Sequence, residues 1–348
     1  MFVRRRHRNR TALAAVIAGL ALLSVVLPAA AAASSNDLGP IGFGNVVVDD
    51  ARGHVLVSGP TANVVEILDY SGNVVGTIPN IYGAYGMVVD GRYLYVAEST
   101  AGAIVRIDLT MPGLGATTLA SGLFRPLWLV MTGGKLWTTV SVPSFDPWRS
   151  LTSIDPKSGM VKAYSQLQYY AADIAASPGA PGILFVAEDG LSPGSVYRID
   201  VSPKPRVRAS NPRTDQSNIE GLAVSPDGTR VIPAAGAPYY FEELDASTLQ
   251  PDGILYPGNP YPSAVAVSPG RGGLLATGLA NGYSSPDIAV DPLGVPSPIF
   301  TATTTNSSGT ANVRGHGLAM TSDGSMLFVV TANDVYGTNT VFNTFAIP

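Results

Sequence analysis

The sequence predicts an all-β fold: a seven-bladed β-propeller of four-stranded antiparallel blades, its ring closed by an N-terminal strand in the last blade. Three observations predict it. A short apolar run recurs seven times at a mean spacing of about 45 residues. No segment within these units carries apolar residues at a helical period over ten residues or more. Gly and Pro contribute 38 and 28 of 348 residues without a collagen-like period, as a turn-rich β protein requires.

The elements follow in chain order. Residues 1–10 hold five arginines and no acid, Ala12–Leu27 is apolar or small, and Pro28 with Ala29–Ala33 offers small residues to a signal peptidase. Residues 1–33 are therefore expected to be a cleaved secretory signal, with an uncleaved anchor as the alternative. Residues 34–348 are expected to form one secreted propeller domain. Losing five arginines leaves 16 basic against 25 acidic residues, a net charge of about −9. Such a surface argues against nucleic acid and anionic membrane as partners. A small molecule, a glycan or a protein remains, and a monomer is expected. The absence of cysteine excludes disulfide staples, thiolate metal sites and a cysteine nucleophile.

The recurring runs are Val46–Asp49, Met87–Asp90, Trp128–Val130, Ile174–Ser177, Leu222–Ser225, Val265–Ser268 and Leu318–Thr321. Each is small and apolar on both faces, as a strand buried between neighbouring sheets must be. Several lead through tight turns such as Asp90-Gly91-Arg92 or Pro226-Asp227-Gly228 into a second strand. A third strand ends in aspartate in six units: Asp69, Asp108, Asp155, Asp200, Asp245 and Asp291. At such places a short acid accepts turn N–H bonds, so a structural role is expected for all six. The last unit stops after three strands, and the segment before Gly44, including Leu38–Phe43, is expected to supply the fourth.

Leu94-Tyr95-Val96-Ala97-Glu98 followed by Ala103-Ile104-Val105-Arg106-Ile107-Asp108, and Leu184-Phe185-Val186-Ala187-Glu188 with Val196-Tyr197-Arg198-Ile199-Asp200, resemble the YVTN-type propeller repeat. That resemblance implies fold rather than chemistry. Glu220-Gly221-Leu222-Ala223-Val224-Ser225-Pro226-Asp227-Gly228 is similar to the "Glu-Gly-Pro" strand and hairpin of gluconolactonase-like propellers, which implies a divalent-metal role for Glu220. Virginiamycin B lyase-like propellers offer a second analogy, a catalytic histidine with magnesium, which here implies His316 with Glu98 or Glu188.

Aligning the inner strands puts Gly44, Tyr85, Pro126, Ala172, Glu220, Ser263 and His316 at one level near the channel mouth, with Arg125 and Arg314 just upstream. Second-strand ends add Glu98, Glu188, Asp189 and Asn333 to that face. As a binding surface, Tyr85, Arg125, Ser263, Arg314 and Asn333 orient a ligand, while Trp128, Tyr169, Tyr170, Tyr239, Tyr240 and Tyr261 add flat amphipathic area. In this reading the protein binds without chemistry and needs no cofactor. As an enzyme, a hydrolase or lyase, His316 and Glu220 are the catalytic pair. Glu98, Glu188, Asp189 and Glu220 then hold Ca²⁺ or Mg²⁺ through hard oxygen ligands.

Overall fold

Each recurring apolar run becomes the innermost strand of a blade in the structure, a computed structural model. It describes residues 34–212, 215–270, 273–280, 286–306, 309–332 and 339–348. The expected signal segment and Asn333 lie outside the described residues. Strand β1 (Ser34–Gly39) opens the chain and belongs to the last blade. Blade one is then β2 (Val46–Asp49), β3 (His54–Gly59), β4 (Val64–Asp69) and β5 (Val74–Pro79). Blade two is β6 (Ala84–Asp90), β7 (Tyr93–Glu98), β8 (Ala103–Asp108) and β9 (Ala116–Ser121). Blade three is β10 (Pro126–Thr132), β11 (Lys135–Ser141), β12 (Trp148–Ile154) and β13 (Val161–Tyr170). Blade four is β14 (Asp173–Ala175), β15 (Ile183–Ala187), β16 (Ser195–Asp200) and β17 (Arg206–Pro212).

Blade five is β18 (Ser217–Val224), β19 (Arg230–Ala237), β20 (Tyr240–Asp245) and β21 (Pro251–Pro257). Blade six is β22 (Pro262–Val267), β23 (Leu274–Leu279), β24 (Ile288–Pro292) and β25 (Phe300–Ala302). A two-stranded hairpin, β26 (Thr305–Asn306) and β27 (Gly309–Thr310), precedes blade seven. That blade is β28 (Asn312–Met320), β29 (Met326–Ala332), β30 (Thr340–Ala346) and, outermost, β1. Every blade pairs its strands in antiparallel register, so two kinds of loop alternate. Hairpins between first and second strands and between third and fourth lie at one end of the ring. Second-to-third connections and blade-to-blade links lie at the other, the mouth.

Apolar burial occurs between blades rather than in one thick core. Leu56, Val65, Ile67 and Ile78 of blade one pack on Leu94, Val96, Val105 and Ile107 of blade two, and equivalent clusters follow round the ring. At the seam, Phe328, Val330 and Phe342 of blade seven meet Val55, Val57 and Leu68 of blade one, with Ile41 and Phe43 buried among them. The seam is fastened as the sequence led us to expect. Ser34 pairs with Thr344 and Asp37 with Val341, and the Ser34 and Thr344 hydroxyls lie 2.7 Å apart. Beyond β1, the Ile41 carbonyl accepts the Thr61 N–H at 2.9 Å, and the Thr340 hydroxyl donates to the Gly42 carbonyl at 3.1 Å.

The third-strand aspartates do what short acids do in turns, with one exception. Asp69 accepts the Ser71 and Asn73 N–H groups, Asp155 those of Lys157 and Ser158, and Asp245 those of Ser247 and Thr248. Asp291 does not. Its carboxylate is 1% exposed with neither oxygen hydrogen-bonded. The turn amides that would reach it are taken: Leu293 N–H goes to the Gly273 carbonyl and Gly294 N–H to Glu243 Oε1 of the neighbouring blade. Burial accordingly pushes Asp291 up to about 6.

Candidate functional site

The inner strands do not run regularly to the mouth. Register is broken between Ala84 and Met87, Pro126 and Leu129, Ile219 and Gly221, Pro262 and Ala264, and Val313 and Leu318. Five blades therefore bulge at about the same height. Bulges re-aim side chains that a regular strand would turn into the sheet. Here they present Tyr85, Trp128, Glu220 and the Arg314–His316 segment to a cavity of about 410 Å³, whose lining also includes Asp173, Asp189 and Asn312.

The longest irregularity, in β28, makes the floor. Gly315 lies against blade five, where an added Cβ would come within 2.9 Å of the Glu220 carbonyl. At Gly317 a Cβ would meet the Arg314 carbonyl at 2.6 Å, so both glycines permit a close turn that other residues would obstruct. Between them His316 sits at φ +58°, a left-handed conformation that costs a non-glycine residue about 1 kcal/mol or more. The strain delivers its ring across the channel. His316 stacks on Trp128 of blade three with centroids 3.7 Å apart, and its Nε2 is 3.4 Å from Asp173 Oδ1 of blade four. Tyr85 packs edge to face against Trp128 with ring centroids 5.7 Å apart.

This stack divides the channel. Trp128 and His316 line both the mouth cavity and a larger one of about 680 Å³ toward the other end. The larger cavity is walled mainly by the aliphatic side chains and backbone of the inner strands, Val47, Val89, Val130, Val224 and Val267 among them. Chemistry-bearing groups converge in the smaller one.

The acids of the mouth cavity are held away from their usual ionisation range. Asp173 is 2% exposed; Oδ1 accepts the Ile174 N–H, Oδ2 has no partner, and burial raises its pKa well above the ordinary carboxylate value. Burial, reinforced by the Asp189 charge and opposed by Arg314, pushes Glu220 up to about 7. Asp189 is also raised by burial, against the Gly190 N–H and Arg149. His316, 18% exposed at its side chain, is lowered by burial to about 4 and is neutral at pH 7. Asn312 adds a buried Oδ1 without a partner. The cavity thus offers acceptors that lack donors, three acids raised by burial, an arginine and an aromatic floor.

Of the sequence candidates, Tyr85, Arg314, Glu220, Asp189 and His316 come together here, and four others do not. Ser263 is fully buried and donates to the Val313 carbonyl at 3.0 Å, anchoring the start of the β28 irregularity rather than facing a ligand. Arg125 is exposed beside Asp146 at 3.5 Å. Glu98 accepts the Tyr82 N–H at 2.8 Å, and Glu188 accepts the Tyr197 hydroxyl at 3.2 Å, both away from the cavity lining. Among the described residues no group of three or more His, Asp or Glu side chains is placed to hold a metal ion. Sequence reasoning missed Asp173 and Asn312. The signal for Asp173 was present: a carboxylate directly heading an inner strand that is otherwise apolar.

The geometry defines a class, a seven-bladed propeller with a polar cavity at the mouth of a divided channel. The sequence matches no protein-family model and no curated protein. Solved structures share the fold. Kuenenia stuttgartiensis hydrazine synthase is 16% identical at a TM-score of 0.63, over 87% of this chain and 96% of that one. A streptogramin B lyase structure is 13% identical at 0.64, over 89% and 97%. Likenesses at such identity show a common propeller and leave the site to be read from its own residues.

Proposed function

We propose that this chain is a secreted, monomeric YVTN-type propeller that binds a small polar molecule or the end of a glycan in the mouth cavity without chemistry. One observation carries the reading. Buried acceptors without partners, Asp173 Oδ2 and Asn312 Oδ1, sit beside an aromatic floor held in place by a strained His316. An unpartnered buried polar atom costs about 1–3 kcal/mol, and a ligand hydroxyl or N–H removes that cost. The test is a melt against a panel of sugars, polyols and amines. A ligand at one hundred times its Kd adds about 2.7 kcal/mol, a rise of several degrees. Tyr85→Ala with Glu220→Gln should abolish that rise; an undiminished rise would put the site elsewhere.

A second reading, a hydrolase or lyase, has its own support. Glu220 near 7 and His316 near 4 are two titratable groups in one cavity whose environments separate their roles, with Glu220 suited to take a proton at neutral pH. Turnover of the bound compound that Glu220→Gln eliminates while leaving its binding intact would favour this reading over the first.

A further inference from the structure

Exposed side chains on this propeller are sorted by end. Six aromatic rings are strongly exposed among the described residues: Tyr82, Phe124, Phe145, Trp148, Tyr239 and Tyr261. All six lie on the mouth face, five in blade-to-blade links or second-to-third-strand connections and Trp148 as the first residue of β12. The exposed aliphatic side chains, such as Val74, Met111, Met160 and Val295, lie on outer strands or at the opposite end. Among the described residues, the strongly exposed apolar side chains of the mouth face are rings alone.

The rings flank the cavity. On one side Phe124, Phe145 and Trp148 cluster round the Arg125–Asp146 ion pair, with the Arg125 guanidinium 5.7 Å from the Phe124 ring centre. Next to Trp148, Arg149 carries its charge to within influence of Asp189 and Tyr85. On the other side Tyr239 and Tyr261 meet edge to face at 5.7 Å, and Tyr261 leans over Gly236, on the strand paired with the one that carries Glu220. Charge within the cavity is close to balanced. Arg314 and nearby Arg149 offset Asp189, while burial holds Glu220 partly protonated at neutral pH and opposes charge on Asp173. A strongly cationic or anionic ligand finds no matching excess. A pyranose ring fits both features: its C–H face stacks on the electron-rich face of an aromatic ring, and its hydroxyls donate and accept at once.

We propose that the mouth face binds a linear, neutral glycan, with one end seated in the cavity over Trp128 and following sugars stacked on the rim rings. The proposal rests on the cavity reading and extends it outward. The experiment is calorimetric titration of the full mature chain with maltohexaose, cellohexaose, xylohexaose and N-acetylchitohexaose, each beside its monosaccharide. One hexasaccharide is expected to bind at least about tenfold more tightly than its monosaccharide. Phe145→Ala with Trp148→Ala, both exposed and so compatible with an unchanged melt, should bring the two affinities together without weakening the monosaccharide. Glu220→Gln should weaken both. No hexasaccharide binding at about 5 mM overturns the proposal, as does rim-dependent capture of reduced, carboxymethylated lactalbumin in its place. A small ligand sensitive to Glu220→Gln but indifferent to chain length and rim leaves the cavity reading standing and removes the glycan. A hexasaccharide sensitive to the rim but indifferent to Glu220→Gln removes the seated end, and the cavity reading with it.

Discussion

The two ends of the ring treat the same functional group in opposite ways. At the hairpin end Asp69, Asp108, Asp155, Asp200, Asp227, Asp245 and Asp323 all lie below the usual carboxylate range, held there by turn N–H groups and nearby hydroxyl, amide or cationic partners. At the mouth Glu98, Asp173, Asp189, Glu220 and Asp287 all lie above it, because burial outweighs the donors they find. Acids at the first end are satisfied by their own turns and have little left to offer a ligand. Those at the second oppose folding as charged groups, and Asp173 keeps an oxygen unpaired. Such an arrangement is tolerable where a partner completes it. Asp291, at the hairpin end but raised, marks the reason for the division: the donors, not the position, decide.

The largest effect should come from the strand that holds both ends in one ring. Deleting residues 34–39 removes the outer strand of blade seven and leaves β30 as an open edge beside the seam. With no disulfide to assist closure, the melting temperature should fall by roughly 10 °C or more. An unchanged melt would mean that interblade packing alone closes the ring. Next in size is Glu220→Gln. A carboxyl raised from 4.5 to about 7 binds more protons folded than unfolded, so stability declines as pH rises between those values. Replacing it should stabilise the protein by roughly 3 kcal/mol at pH 8 and hardly at all at pH 4, read from paired denaturant titrations. A loss of stability at pH 8 would show that the mouth acids are structural after all, and would erase the contrast.

The architecture was legible because the repeat is carried by bulk properties: apolar runs, Asp-Gly turns and terminal aspartates recur even where identities drift. The missing outer strand and its N-terminal replacement follow from counting strands. The site was legible only in part, because alignment assumes that every inner strand keeps the same register. In blade three the irregularity between Pro126 and Leu129 brings Trp128 into the cavity where alignment gave Pro126. In blade four alignment gave Ala172, while its neighbour Asp173 heads the strand and lines the cavity. Side-chain period in a strand is two, so the one-residue slip in blade four exchanges the inward and outward sets, while in blade three the bulge itself re-aims Trp128. Ser263 shows the reverse error, aligned with the site but turned inward to hold the Val313 carbonyl.

The smallest effect sharpens the comparison most, since it should have the opposite sign. Asp245 receives the hydroxyls and N–H groups of Ser247 and Thr248, which bring its pKa down to about 2. A depressed carboxylate contributes stability that is present above the unfolded value of 3.8 and lost as pH falls through the folded one. Its exposure to solvent discounts the gain to about 1 kcal/mol. Asp245→Ala should therefore lower the melting temperature by about 2 °C at pH 7 and by less at pH 3, where the wild-type carboxylate has begun to protonate. Glu220→Gln raises stability at high pH, and Asp245→Ala lowers it there. Two acid replacements that moved stability in the same direction at pH 7 would show that turn donors and burial do not separate the two ends of this ring.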